Sequence, residues 1–179
     1  MTDREGAFKL CIFGDGGVGK TTLVNRYLTK IFDESIKMTI GADFYVKDLE
    51  VDGKKVVIRI WDFGGEQRFK VLLPSFAKGA NGGIFMFDIT RYTSVKNVDD
   101  WLSIFEKNAQ DKKINIPILM LGGKLDLQEK RSVETEDAME LSEKYNLQGY
   151  LECSSKTGEN VEEVFQSITR KMMKTTNLT

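Results

Sequence analysis

The chain has 179 residues, of which 41% are hydrophobic and 30% are charged, and its formal net charge is −1. This composition is ordinary for a globular protein. Because positive and negative charges nearly balance, no polyanion-binding surface is implied, and nucleic acid is not an expected partner. The sequence has no histidine. Histidine is therefore excluded as a base, metal ligand or pH switch, and any bound metal is expected to have oxygen ligands.

The length predicts one domain, residues 1–179, with an ordered core of about 6–174. No apolar segment is long enough to span a bilayer, and no signal peptide or prenylatable C-terminal cysteine is visible. We expect a cytoplasmic monomer, with peripheral membrane association only if a lipidated tail is missing from this sequence. The two cysteines, Cys11 and Cys153, are expected to be reduced and structural.

Apolar runs along the chain predict six strands. An Asp52-Gly53 turn between the second and third strands predicts a hairpin, whereas the other strands alternate with helical patterns and are expected to be parallel. The fold class is therefore α/β, a doubly wound, mostly parallel six-stranded sheet with one antiparallel edge strand. The predicted strands are Phe8–Phe13, Phe44–Val51, Lys55–Trp61, Gly83–Phe87, Ile116–Leu121 and Tyr150–Cys153.

Apolar residues at helical spacing predict four helices. The first begins in the glycine-rich segment after the first strand, and the second covers Val95 to Phe105. Thr135 is the expected cap of the third, and Asn160 with Glu163 resembles a capping box before the fourth. The segment Lys30–Thr39 has no periodicity and is expected to form an exposed loop.

The first functional motif lies between the first strand and the first helix. Residues 14–21 read G-D-G-G-V-G-K-T, which fits the phosphate-binding pattern G-x-x-x-x-G-K-[ST]. Backbone N–H groups and the helix N-terminus bind phosphate oxygens there, Lys20 reaches the β- and γ-phosphates, and the Thr21 hydroxyl suits Mg²⁺. The ligand is thus a nucleoside polyphosphate with Mg²⁺. The predicted binding residues are Asp15, Gly16, Gly17, Val18, Gly19, Lys20, Thr21 and Thr22.

Two further segments follow predicted strands. Asp62 ends the third strand, where a carboxylate can hold Mg²⁺ through a water of its hydration shell, and Gly65 offers a backbone N–H to a γ-phosphate oxygen. The segment Gly123-Lys124-Leu125-Asp126 follows the fifth strand. Asp126 can accept two hydrogen bonds from guanine, and adenine has no matching pair of donors. After the last strand, Ser154, Ser155 and Lys156 complete the base site, with the Ser155 N–H near the guanine O6.

These elements, in this order, resemble the Ras-type small GTPases, and the chain looks most similar to the Rab branch. Residues 39–44 read T-I-G-A-D-F, residues 57–69 read V-I-R-I-W-D-F-G-G-E-Q-R-F, and residues 152–165 resemble the closing E-T-S-A-K stretch of the family. The similarity spans about residues 7–172. It implies a phosphate-loop G domain that binds GTP or GDP with Mg²⁺ and hydrolyses GTP.

The resemblance also implies roles for individual residues. Thr39 is expected to coordinate Mg²⁺ in the GTP state, and Phe32 to pack against guanine. Asp62 and Gly65 are expected to sense the γ-phosphate. Effector, exchange-factor and activating proteins are expected to bind the first switch, about residues 33–43, and the second switch, about residues 63–78.

The sequence departs from the family pattern at several positions. The water-orienting glutamine is replaced by Glu66, with Gln67 next to it, so we expect slow hydrolysis that depends on Glu66; the assigned catalytic set is Glu66, Gln67, Lys20 and Gly65. Gly123 replaces an asparagine that ties the base site to the phosphate loop, which predicts faster GDP release unless a water substitutes. Phe63-Gly64 replaces Thr-Ala: the glycine is expected to loosen the second switch, and Phe63 to serve either packing or a partner surface.

Two other functions stay open. Because Glu66 replaces the glutamine, the protein could instead be a GTP-binding interaction module with little or no hydrolysis. A phosphate-loop ATPase or small-molecule kinase is the third reading, against which Asp126 and the Thr39 segment argue.

Overall fold

The computed structural model describes residues 4–109 and 115–178. It contains one six-stranded sheet in the order β2-β3-β1-β4-β5-β6. Strand β2 pairs antiparallel with β3, and all other neighbours are parallel. The strands are β1 (Gly6–Phe13), β2 (Ala42–Val51), β3 (Lys54–Phe63), β4 (Gly82–Asp88), β5 (Ile118–Gly123) and β6 (Tyr150–Glu152).

Helices cover both faces of the sheet. One apolar cluster joins α1 and α6 to one face, and a second joins α2 to α5 to the other, so that β4 is buried along its whole length. The helices are α1 (Lys20–Thr29), α2 (Leu73–Ala77), α3 (Thr93–Lys96), α4 (Val98–Ala109), α5 (Thr135–Lys144) and α6 (Val161–Thr175), with 3-10 helices at Gln67–Leu72 and Leu125–Lys130. The predicted doubly wound fold with an antiparallel edge strand is confirmed.

Several local predictions were wrong. The pattern from Val95 to Phe105 forms two helices, because the chain turns at Asn97 and that side chain donates to Asp15. Strand β5 ends at Gly123, two residues later than predicted, because Gly122 and Gly123 still pair with β4. Residues 110–114 of the predicted ordered core lie outside the described residues.

Thr135 is not the cap of α5, and Asn160 is the N-cap residue of α6 but forms no capping box. The Thr135 hydroxyl donates to Glu152 Oε1 at 3.1 Å, and Glu134 precedes the helix without a capping bond. Asn160 does precede α6, but with φ 60° and a side chain that donates to the Glu152 carbonyl at 2.9 Å. In each case the side chain bonds to Glu152 at the end of β6 instead of capping its own helix.

The carboxyl ends of the five parallel strands meet at one edge of the sheet. Every predicted functional segment leaves the sheet at this edge or borders it, as open α/β sheets favour for ligand sites. The predicted loop over Lys30–Thr39 has no helix or strand and lies beside the same edge.

Candidate functional site

The phosphate-binding segment forms a tight loop between β1 and α1. Gly17 and Gly19 have φ values of 74° and 101°, which residues with a Cβ atom rarely adopt. Lys20 opens the helix and is 5% exposed, and its Nζ donates to the carbonyls of Gly14 at 2.8 Å and Asp15 at 2.9 Å. Burial lowers the pKa of Lys20 to about 8, against the opposing charges of Asp62 and Asp15. The loop thus holds the desolvated Lys20 ammonium group in a position to bind an anion such as phosphate.

The three predicted metal ligands converge beside this loop. Thr21 Oγ1 donates to Asp62 Oδ2 at 2.5 Å and lies 2.5 Å from Thr39 Oγ1, and Thr39 Oγ1 lies 3.4 Å from the same carboxylate oxygen. Asp62 is fully buried, and its Oδ1 has no hydrogen-bond partner among the residues that the structure describes. Burial raises the pKa of Asp62 to about 6, although the Thr21 bond and Lys20 oppose the shift.

These groups fit Mg²⁺. An unpaired buried carboxylate oxygen costs free energy unless a cation or donor satisfies it, and two hydroxyls with one carboxylate are hard oxygen ligands. No cluster of three His, Cys, Asp or Glu side chains suited to a metal exists among residues 4–109 and 115–178. A cation held here therefore has the Asp62 carboxylate and two hydroxyls as protein ligands, and the remaining ligands would come from phosphate or water.

The predicted base-recognition residues meet at the ends of β5 and β6. Asp126 Oδ1 accepts a hydrogen bond from Ser154 Oγ at 2.6 Å, which orients the carboxylate. Lys124 Nζ donates to the Gly17 carbonyl at 3.1 Å and forms an ion pair with Asp88 Oδ2 at 2.7 Å. Burial would raise the pKa of Asp88, but bonds from Lys124 and Thr90 hold it below its usual value. Lys124 therefore joins the base site to the phosphate loop.

A cavity of about 430 Å³ connects the phosphate loop with the base-recognition residues. This volume is within the range of small-molecule sites. The predicted residues that line it are Gly16, Gly17, Val18, Gly19, Lys20, Thr21, Thr22, Phe32, Thr39, Gly65, Lys124, Asp126, Ser155 and Lys156.

Other predicted site residues lie beside the cavity. The Asp15 carboxylate accepts from Trp101 Nε1 at 2.8 Å and from Asn97, so its side chain faces α4. Leu125 packs in the apolar core, and Ser154 is buried beneath Asp126. Glu66 and Gln67 border a second cavity on the other side of Gly65.

Sequence reasoning missed several residues that line the main cavity. Met86 lies in an entirely apolar strand, and Leu127 lies in a 3-10 helix, so neither position carries a polar signal. The segment from Asp33 to Met38 borders the cavity without a binding motif. Only its place within the predicted first switch indicated such a position.

The second switch closes tightly onto the phosphate loop. The Gly65 carbonyl accepts from the Gly16 N–H at 3.0 Å, and a Cβ on Gly65 would lie 2.2 Å from that nitrogen. A Cβ on Gly64 would lie 2.5 Å from the Thr39 carbonyl oxygen, so this glycine permits a close approach between the two switches. Phe63 is 1% exposed and packs against Phe76, which assigns it to packing.

Other features bear on the remaining expectations. Cys11 and Cys153 are free and buried, and burial raises the pKa of each thiol to about 12, so both stay protonated. Among the helices of the described ranges, none combines the length and apolarity that crossing a membrane requires.

Comparison with known proteins agrees with this geometry. A model of the Ras family matches residues 9–174. Over 166 residues, 93% of this chain, the sequence is 40% identical to "Ras-related protein Rab-19" of Bos taurus and 36% identical to "Ras-related protein Rab-13" of Canis lupus familiaris, covering 75% and 80% of those proteins. Rab-19 of Homo sapiens is 38% identical over the same length. The chain belongs to the Ras family and is a Rab-like small GTPase.

Proposed function

We propose that this GTPase is a slow guanine-nucleotide switch that hydrolyses GTP to GDP and phosphate with Mg²⁺ and binds effectors in its GTP state. The observation that carries the proposal is the convergence of Thr21, Thr39 and Asp62 beside Lys20. These hydroxyls and the carboxylate come from three segments far apart in sequence. Such an arrangement of oxygen ligands suits a cation that also binds the phosphates of a nucleotide.

The reaction needs few groups from the protein. A water oxygen attacks the γ-phosphorus, the bond to the β–γ bridging oxygen breaks, and its electron pair stays on GDP, so that GTP⁴⁻ and H₂O give GDP³⁻, HPO₄²⁻ and H⁺. Loop N–H groups and Lys20 bind the phosphates, and Glu66 accepts a hydrogen bond from the attacking water. Thr21, Thr39 and Asp62 would hold Mg²⁺, which supplies charge neutralisation at the phosphates.

Base selection belongs to Asp126. Its carboxylate accepts two hydrogen bonds from guanine, while Ser154 fixes its orientation. The Lys124 stem covers the base, because its Nζ is tied to Gly17 and Asp88. Phe32 and the backbones of Ser155 and Lys156 complete the pocket.

The switch operates through Thr39 and Gly65. In the GTP state, we expect the γ-phosphate and Mg²⁺ to order the two segments that carry these residues, and hydrolysis to release them. Partners would bind the adjoining sheet edge, where Phe44, Trp61 and Phe76 form a row with ring centroids 4.8 and 4.9 Å apart. Phe44 is 47% exposed, so this row is accessible from solvent.

One observation favours the second candidate, an interaction module with little hydrolysis. The Glu66 carboxylate forms an ion pair with Arg68 at 2.7 Å, and an ion-paired carboxylate is a poorer acceptor for water. The third reading, an ATPase or small-molecule kinase, is disfavoured by family membership. One domain over residues 1–179, a cytoplasmic location and a monomeric state remain parts of this proposal.

Competition for the purified protein tests the proposal. With Mg²⁺ present, GTP and GDP should displace a fluorescent guanine nucleotide, and ATP should not. Multiple-turnover phosphate release should then be slow but measurable. Equal displacement by ATP would contradict guanine selection, and binding without any phosphate release would support the interaction module.

A further inference from the structure

Arg91 lies beside the phosphate loop and has no part in the phosphate, metal or base contacts of the proposed function. It follows β4, and its backbone is fixed because its N–H donates to Asp88 while its carbonyl accepts from buried Ser94. The half-buried guanidinium donates from Nη2 to the Gly16 carbonyl at 2.6 Å. Both backbone polar groups of Gly16 are thereby engaged, one by Arg91 and the other by Gly65.

The charge of Arg91 is not neutralised by a carboxylate among the residues that the structure describes. The acidic groups around it are already partnered: Asp15 with Trp101 and Asn97, Asp88 with Lys124, and Glu66 with Arg68. Arg91 also acts on Lys20, because after burial its charge is the remaining influence that lowers the pKa of that lysine. Two cations thus flank the loop without a carboxylate bridging them.

Arg91 also faces the place where hydrolysis is proposed to occur. It lines the second cavity together with Gly65, Glu66 and Gln67, the residues assigned to the γ-phosphate and the attacking water. We propose that Arg91 is a catalytic cation supplied by the chain itself, which stabilises the negative charge on the γ-phosphoryl oxygens during transfer. This inference rests on the proposed GTP hydrolysis.

The chemistry gives the reason for such a group. Phosphoryl transfer is catalysed mainly by positioning and by neutralisation of charge, and an arginine from the same or another chain is one way to supply it. The Glu66 carboxylate is already paired with Arg68. The Arg91 guanidinium adds a positive charge beside the same cavity, and it keeps that charge at any working pH.

Single-turnover GTP hydrolysis without any activating protein tests the inference. The variants are Arg91→Ala, Arg91→Lys and, as a matched control, Arg4→Ala, whose exposed ion pair with Asp48 lies at the opposite end of β1. Dissociation of a fluorescent GDP is measured for each, as is the affinity of the GDP-bound protein for aluminium fluoride, which mimics the transferring phosphoryl group.

We expect Arg91→Ala to slow hydrolysis about tenfold or more and to weaken aluminium fluoride binding, with GDP dissociation changed less than about threefold. Arg91→Lys should recover part of the loss, and Arg4→Ala should behave as the unmodified protein. Unchanged hydrolysis in Arg91→Ala would overturn the inference. GDP release that accelerates as much as hydrolysis slows would also overturn it, because this result indicates that Arg91 only holds the phosphate loop in place. Undetectable hydrolysis by the unmodified chain would overturn it as well. Failure to bind guanine nucleotides would instead refute the proposed function.

Discussion

The Cε atom of Met86 lies 2.5 Å from the position that a Cβ on Gly123 would occupy. The same methyl group lies 3.7 Å from an ideal Cβ on Gly19, so it packs between the end of β5 and the phosphate loop. Met86 is 1% exposed. The methyl group at the end of the Met86 side chain thus occupies the space in which the family's asparagine ties the base site to the loop.

This packing predicts a dependence between two substitutions. Gly123→Asn alone should slow GDP release less than the double variant below, because the new side chain must first displace the Met86 methyl group. Combined with Met86→Val, the asparagine gains space beside the Val18 carbonyl, whose oxygen lies 3.3 Å from the Cβ position, and release should slow about tenfold. GDP dissociation rates of both single variants and of the double variant give the coupling free energy between positions 86 and 123. Additive effects would show that Met86 does not fill the amide site.

The base site makes a second prediction. Asp126→Ala should weaken GTP binding by at least about thirtyfold, because two hydrogen bonds worth about 1–3 kcal/mol each are lost, while weak ATP binding should stay unchanged. Ser154→Ala is the matched control: it removes only the bond that orients the carboxylate and should have a smaller effect. Calorimetry with both nucleotides measures this. A similar loss for GTP and ATP in Asp126→Ala would contradict guanine recognition.

The order of Glu66 and Gln67 makes a third prediction. Glu66→Ala should reduce single-turnover hydrolysis, and Gln67→Ala should change it little, because Gln67 begins a 3-10 helix and is exposed. Glu66→Gln should increase the rate, since an amide can both accept from water and donate to phosphate. Phosphate release sampled over minutes to hours measures these slow rates. Loss of activity only in Gln67→Ala would reassign the role.

The ion pair between Arg131 and Glu152 makes a prediction about stability. Two bonds of 2.7 and 2.8 Å join side chains that are 15% and 13% exposed. Burial alone would raise the pKa of Glu152, but the bond from Arg131 and its neighbours hold it below its usual value. Arg131→Met leaves this carboxylate without its cation and should lower the free energy of unfolding by about 1–3 kcal/mol at neutral pH.

The sign of the pH dependence follows from the lowered pKa of Glu152. The pair stabilises the native chain fully above the usual glutamate pKa of 4.5, and that contribution is lost as the pH falls below it. The difference between the unmodified chain and Arg131→Met in urea titrations should therefore shrink under acid conditions. Arg170→Met removes an exposed pair with Asp52 and should have little effect. A difference that grows toward low pH would contradict this account.

The phosphate loop and the antiparallel hairpin could be predicted because both depend on local signals. The pattern from Gly14 to Thr21 encodes its own backbone path, and Asp52-Gly53 encodes the hairpin between β2 and β3. The helix caps could not be predicted in the same way. Thr135 and Asn160 bond to Glu152 instead, because the fold brings the end of β6 close enough to compete with the local backbone.

The sequence by itself determined the family, the ligand class and the candidate residues, because phosphate and guanine recognition need particular side chains at fixed spacings. Only the tertiary structure decided which additional groups lie next to these candidate residues. Met86 reaches Gly123 and Arg91 reaches Gly16 only because parallel pairing brings the carboxyl ends of β1, β4 and β5 to one edge. An apolar strand residue and a loop arginine carry no motif, so their roles arise from packing.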